Sequence, residues 1–360
     1  MGYDVAMDKA PRSSKKLSSQ REASASKKSR PVPTKKPPTI HDVARLSGVS
    51  TATVSRFFSG KLSVILPQTI ERVREAAQTL GYTPSQIGRS LRLADSRVVV
   101  MLVPDATNFF TADVAASVES ALQKIGLSMV LGNTAETAEK QDQLLADAQG
   151  LRARAIVLQG AIDTPMLREI AAQRRNVVFV NRRPAPGIAS PYVGIDNFKA
   201  GLAVGKYFVK RGYTNCVAIH GPRHYPGSSE RLEGFLKGIG NRKPIFQFEC
   251  LFSMEAGYQQ GQLLLSDCSQ RFAVFCANDM IAYGLYRVAK ERGLRVPEDL
   301  VIFGFDDNRV NNWLAPWLST IRVPAFDFGP AVVDLIKMAS SGMPEKRVIL
   351  PFEIIIRQSA

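Results

Sequence analysis

The chain is predicted to be an N-terminal all-α helix-turn-helix headpiece joined to an α/β core of two doubly wound parallel-sheet subdomains. Three observations predict this. Residues 39–59, TIHDVARLSGVSTATVSRFFS, hold two short amphipathic segments around a Ser47-Gly48-Val49 turn. From residue 98 onward, two series of short apolar runs alternate with amphipathic stretches. The net charge of +15 is crowded at the N-terminal end.

Residues 1–38 carry ten Lys/Arg against three Asp/Glu, and residues 39–97 eight against four, which leaves the rest of the chain only +4. Pro, Ser and Lys dominate residues 9–38, with hardly an apolar side chain to bury. Residues 1–38 are therefore expected to form a disordered basic arm. Basic charge beside a helix-turn-helix is the footprint of phosphate contacts, and it predicts salt-dependent binding to DNA.

The headpiece is expected over residues 39–83. Thr39 precedes its first helix, and Asp42 three residues on resembles a capping box. Val43, Ala44 and Leu46 are expected on its buried side. Gly48 suits a turn with positive φ. Ser50 is a good N-cap for the second helix. On that helix Val54 should face inward, with Phe57 or Phe58 closing the small core. Thr51, Ala52, Ser55 and Arg56 then point outward. A helix-turn-helix lays its second helix in the DNA major groove, N-terminal end towards the base edges. Thr51 and Ala52 carry methyl groups suited to thymine, and Arg56 suits guanine or a phosphate. A third helix is expected from about Gln68 to Leu80, ended by Gly81. Residues 84–97 follow as a short helix and linker, with Pro84 at its start and Ile87, Arg89, Leu91 and Arg92 along it.

TIHDVARLSGVSTATVSR, followed by ERVREAAQTLGYTPSQIGRSL, resembles the LacI/GalR family of bacterial transcription regulators. The resemblance implies sequence-specific binding of double-stranded operator DNA by a homodimer. It implies DNA contacts by Thr39, Ser50, Thr51, Ala52, Thr53, Ser55, Arg56 and Arg89. It makes residues 84–97 a hinge helix whose Leu91 wedges into the minor groove, a known device for kinking DNA. Ser85 and Gly88 stand where that family usually has Asn and Ala. Glycine in a helix interior costs about 0.5–1 kcal/mol, so this hinge is expected to lean on dimer contacts.

In the core (98–360), the first series of strands is VVVMLVPD, LSMVLGN, AIVLQG and VVFVNR; the second is CVAIHG, FQFECLF, AVFCAND and LVIFGFDD. Fully apolar strands alternating with helices mean parallel sheets buried on both faces. Two such series mean two subdomains, with a ligand cleft at the carboxyl ends of the strands. Asp105 and Asn108, Asn181 and Arg182, Asn278 and Asp279, and Asp306 and Asp307 follow strands, so they should gather at that rim. Amides, carboxylates and an Arg there suit a polyol or sugar, although each Asp or Asn also suits a helix N-cap.

The resemblance extends over this body through VGIDNFKAGLAVGKYFVKRGYTNCVAIHGP, SSERLEGF, CANDMIAYG and LPFEIIIRQS. It implies a periplasmic-binding-protein-like core. It places one subdomain at about 98–195 and 324–344 and the other at about 196–323 and 345–360. It implies effector contacts by Asn108, Phe109, Asn181, Arg231, Phe252, Asn278 and Asp306, with a small-molecule effector such as a sugar or sugar acid. Asn181 replaces a frequent Asp and Val323 a frequent polar residue, which points to an uncharged ligand.

The body alone would suit a solute-binding protein of periplasmic type, but the headpiece argues against that. The chain carries no G-x-G-x-x-G after its first strand, no GxxxxGK[ST] and no G-x-S-x-G, so an enzyme is not expected. No cofactor is expected, and no metal spacing appears among its three histidines and four cysteines. Of the histidines, His220 is the candidate for the cleft, though a structural donor role suits it better. Single cysteines in apolar runs suggest reduced thiols in a cytoplasm. No apolar run of about 18 residues is present, so no membrane partner is expected.

Overall fold

The computed structural model describes residues 38–83, 96–173, 176–240, 246–266, 270–340 and 346–360. The arm expected over 1–38 lies outside the described residues except for Pro38. So do Cys268 and most of the expected hinge, with Ser85, Gly88, Arg89 and Leu91. Two compact units are described, the headpiece and the core.

In the headpiece, α1 (Ile40–Ser47), α2 (Thr51–Phe58) and α3 (Pro67–Leu80) enclose a small core. Thr39 donates its backbone N–H (2.9 Å) and its hydroxyl (2.7 Å) to the Asp42 carboxylate, which fixes the start of α1. Gly48 ends α1 in the left-handed region (φ 66°). The Ser50 hydroxyl accepts the Thr53 N–H at 3.2 Å and caps α2. Val43, Ala44, Val54, Val73, Ala76 and Ala77 are buried together, with Phe57, Phe58 and Tyr82 packed around them. Leu46, expected in this core, is 54% exposed. Residues 43, 44 and 47 share one stripe of the helix, and Leu46 lies about 100° from its centre. Ser47 takes the inward place, its hydroxyl donating to the Val43 carbonyl at 2.6 Å.

The core contains two six-stranded sheets. The first holds β1 (Val98–Val103), β2 (Ser128–Asn133), β3 (Ala155–Gln159), β4 (Val177–Val180), β5 (Tyr192–Ile195) and β11 (Arg347–Leu350). The second holds β6 (Cys216–His220), β7 (Phe246–Glu249), β8 (Phe272–Cys276), β9 (Leu300–Asp306), β10 (Ser319–Arg322) and β12 (Glu353–Ile355). Strand orders are β11-β5-β4-β3-β1-β2 and β12-β10-β9-β8-β6-β7. All pairings are parallel except β10 with β12. Strand β1 shows why its sequence is apolar throughout: Val99, Met101 and Val103 join one buried cluster, and Val100 and Leu102 another.

Helices α4 (Phe109–Lys124), α5 (Ala138–Gly150), α6 (Pro165–Ala172) and α12 (Phe328–Ser340) go with the first sheet. Helices α7 (Asn197–Lys210), α8 (Pro226–Ile239), α9 (Met254–Leu264), α10 (Asp279–Glu291) and the short α11 (Asn311–Leu314) go with the second. The chain passes between the subdomains after β5, after β10 and after β11. The third passage differs from expectation. Residues 345–360 are expected in the second subdomain, yet Arg347–Leu350 pair with Tyr192–Ile195 in the first sheet. Only from Glu353 does the chain join the second sheet, opposite Ser319–Arg322. An edge strand four residues long carries too little pattern to reveal its sheet. Among the described residues no helix is long and apolar enough to cross a membrane.

Candidate functional sites: a helix face and a cleft

On helix α2, Ala52 and Arg56 are exposed, with Thr51, Thr53 and Ser55 half-buried beside them. The cap bond from Ser50 and a 3.0 Å contact between the Ser50 and Thr53 hydroxyls fix the N-terminal turn. The helix is therefore capped, with Ser50 and Ala52 exposed at its N-terminal end.

A cleft of about 640 Å³ opens between the two sheets of the core at the carboxyl ends of their strands. Six of the seven expected contacts line it: Asn108, Asn181, Arg231, Phe252, Asn278 and Asp306. Phe109 does not. Asn108 caps α4, its side-chain oxygen accepting the Thr111 N–H at 3.2 Å. The helix thereby turns Phe110 and Thr111, rather than Phe109, to the cleft. Asn278 caps α10 in the same way, accepting from Ile281 N–H at 2.9 Å. Both asparagines thus commit one lone pair of the side-chain oxygen to a helix, which leaves the amide N–H groups and a second lone pair to meet a ligand.

Arg231 is buried. Its Nε donates to Asn197 Oδ1 and its Nη1 to the Ala277 carbonyl, each at 2.7 Å, and its guanidinium lies 3.7 Å from the Phe305 ring centroid. Asp306, at the end of β9, sits in the left-handed half of φ space (116°). Burial pushes its carboxyl well above the usual range, opposed by Arg231 and reinforced by Asp279. Asp279 and Asp307, expected at the rim, turn away from it. Asp279 accepts from the Thr320 hydroxyl, the Asn308 N–H and the Asn311 amide. Asp307 pairs with Arg322 and Arg357, each at 2.8 Å. These two carboxylates brace β9, β10 and the C-terminal segment.

Asn181 adopts φ 62°, a conformation that Asn tolerates. Its side-chain oxygen is buried with no hydrogen-bond partner among the described residues. The same holds for Gln159 Oε1 and Ser228 Oγ, both on the cleft wall. Arg182 donates to the Gly160 carbonyl at 2.9 Å and to Glu136 at 3.1 Å. Both cleft arginines are thus already engaged by the protein. His220 lies beneath the cleft rather than on it, its Nδ1 2.8 Å from the Gly221 carbonyl, and burial lowers its pKa. His224 lines the cleft instead, its ring 4.2 Å from that of Tyr225. Gln159, Glu136 and Tyr225 escaped sequence reasoning. Only Gln159 had a local signal, as the one polar residue closing an apolar strand, AIVLQG. Among the described residues no group of three or more His, Cys, Asp and Glu could hold a metal ion.

Residues 39–85 match the family described as bacterial regulatory proteins, lacI family, and residues 206–360 that described as periplasmic binding protein-like domain. The chain is 30% identical over 331 residues to the HTH-type transcriptional repressor PurR of Vibrio atlanticus (strain LGP32). That alignment spans 89% of this chain and 98% of the relative. The chain belongs to the LacI family.

As a LacI-family member it is a DNA-binding transcription regulator and not an enzyme. Another relative, the HTH-type transcriptional regulator DegA of Bacillus subtilis (strain 168), is 27% identical over 333 residues, 89% of this chain and 97% of the relative. Among solved structures, the Lac repressor dimer bound to operator and the anti-inducer ONPF superposes with a TM-score of 0.77 at 23% identity, covering 90% of this chain and 99% of that one. A complex of the transcriptional regulator CelR with cellobiose gives a TM-score of 0.65 at 24% identity, covering 90% of this chain and 100% of that one. These likenesses match the LacI-family fold described above: a helix-turn-helix followed by two parallel-sheet subdomains.

Proposed function

We propose that the protein is a homodimeric repressor that binds a near-palindromic operator in the cytoplasm, under control of an uncharged small molecule, a sugar or sugar derivative, held in the cleft. The two-fold symmetry of a dimer is mirrored in its DNA site. Thr51 and Ala52 meet base edges, and Arg56 takes guanine or a phosphate. Thr39, Ser50, Thr53 and Ser55 hold the backbone. Arg89 and Leu91, outside the described residues, are assigned to the hinge by their family positions alone.

The cleft observation that carries the effector reading is its set of unsatisfied polar groups. Gln159 Oε1, Asn181 Oδ1 and Ser228 Oγ are buried with no partner among the described residues, a condition that costs free energy unless something bonds them. Hydroxyl groups of a ligand supply the missing donors. The Asn108 and Asn278 amide N–H groups supply donors in return, and Phe252 offers an aromatic face. Arg182 and Arg231 each spend two of their N–H donors on protein acceptors, and Glu136 meets the charge of Arg182, which lessens the pull on an acidic ligand. A sugar in a related fold, cellobiose with CelR, and operator DNA with the Lac repressor dimer support the reading. The subdomain limits follow the passages of the chain after β5, β10 and β11.

The experiment is a selection of DNA sites by the full chain from a random duplex library, followed by a thermal-shift screen of neutral sugars and sugar acids. The reading expects a two-fold related consensus and stabilisation by a neutral sugar. Enrichment of no sequence would remove the operator, and stabilisation only by sugar acids would remove the uncharged effector.

A further inference from the structure

We propose that Glu136, Arg182 and Tyr225 form a latch that ties the two subdomains together across the cleft. Glu136 lies between β2 and α5, and Arg182 follows β4; both belong to the first subdomain. Tyr225 lies between β6 and α8, in the second. The Tyr225 hydroxyl donates to one Glu136 carboxylate oxygen at 3.0 Å. Arg182 donates to the other at 3.1 Å. The same guanidinium carbon sits 3.4 Å from the centroid of the Tyr225 ring. The tyrosine is therefore gripped twice, by its hydroxyl and by its ring face.

Both jaws of this grip are braced. The loop that carries Glu136 turns through two left-handed residues, Ala135 (φ 49°) and Glu136 (φ 54°). Their N–H groups donate to Asn133 Oδ1 and Thr134 Oγ1, which presents the carboxylate in one position. Arg182 is anchored to the Gly160 carbonyl, and its side chain is only 11% exposed. A charge-assisted hydrogen bond and a sheltered cation–π contact are each stronger than their solvent-exposed counterparts. Among the described residues two other ion pairs join the subdomains, Arg183 with Glu230 at 3.5 Å and Arg309 with Asp113 at 3.8 Å. They are longer and their arginines more exposed, so they contribute little. All three latch residues also line the cleft. The latch stands on these contacts and not on the identity of any ligand.

Hydrogen exchange of the full chain, read by mass spectrometry, tests the latch without ligand or DNA. Tyr225→Phe keeps the ring over Arg182 and removes the hydroxyl. It is expected to speed exchange of the Glu136 and Thr137 amides, in the opposite subdomain, by about tenfold, the loss of one hydrogen bond to a charged group. Glu136→Ala, which removes the acceptor, is expected to do the same to the amides of residues 223–229. The double variant should exceed neither single variant at either loop, because each removes the same tie. Arg182→Lys, which keeps the charge and loses the planar stack, should also loosen residues 223–229. Changes confined to the substituted residue's own loop would overturn the proposal, as would additive effects in the double variant. A uniform rise across the core in every variant would overturn it too, since that marks general destabilisation.

Discussion

Gly221 lies directly beneath the ring of Phe252: a Cβ at residue 221 would stand 2.1 Å from the phenyl Cζ. The strand end after β6 is bare so that an aromatic ring from the segment after β7 can lie on it and face the cleft. Gly221→Ala should therefore lift the ring and destabilise the core by about 1–3 kcal/mol, the usual cost of overpacking. Phe252→Leu in the same chain should recover part of that loss. Urea unfolding of the four chains of this double-mutant cycle measures the coupling, and strict additivity would show that the ring is not what the methyl meets.

Arg231→Lys keeps a buried cation but not the planar fork. A lysine cannot donate to Asn197 and Ala277 along both present directions while lying over Phe305. The expected loss is about 1.5–3 kcal/mol, the worth of a hydrogen bond to a charged group. Denaturant unfolding checks it, and a change below about 0.5 kcal/mol, the scatter of surface substitutions, would contradict the assigned contacts.

His220 gives the core a pH dependence of definite sign. Burial lowers its pKa from the ordinary 6.5, with the Gly221 carbonyl opposing. The unfolded chain then binds a proton that the folded chain refuses, so this contribution to stability is complete above 6.5 and is lost as the pH falls towards the folded value. The wild-type unfolding midpoint should drop on going from about pH 7.5 to about pH 5 by more than that of His220→Asn. Equal drops would mean that His220 does not titrate differently in the two states.

Arg56→Ala should weaken binding to a selected operator and leave the thermal response to a cleft ligand unchanged. If Arg56 holds a phosphate, the slope of log affinity against log salt should shrink by about one. If it reads guanine, preference at one base position should relax by about 1–3 kcal/mol with the slope kept. Unchanged affinity and unchanged slope would remove Arg56 from the interface.

Much of this was legible because the signals are local. Ser50, Gly48 and Val54 were readable from a cap, a turn and a period of 3.6 residues, and the structure uses each as expected. Asn181 and Asp306 were readable as polar residues that end apolar strands. Single-residue phase was harder. Leu46 is exposed and Phe110 replaces Phe109 because one step around a helix is about 100°. Contacts made by the fold had no signal. Glu136 and Tyr225 are 89 residues apart in the chain and meet only because two subdomains face each other. Strand β11 returns to the first sheet after a long detour, and no spacing announces it.

On the function proposed above, occupation of the cleft changes how tightly the headpiece holds its operator. The most direct test is fluorescence anisotropy of the full chain on a selected operator, with and without the neutral sugar that stabilises it in a thermal-shift screen, at fixed salt. Operator affinity should change by about 5- to 150-fold, matched by an equal change in sugar affinity when operator is present. An operator affinity unmoved at saturating sugar would contradict it.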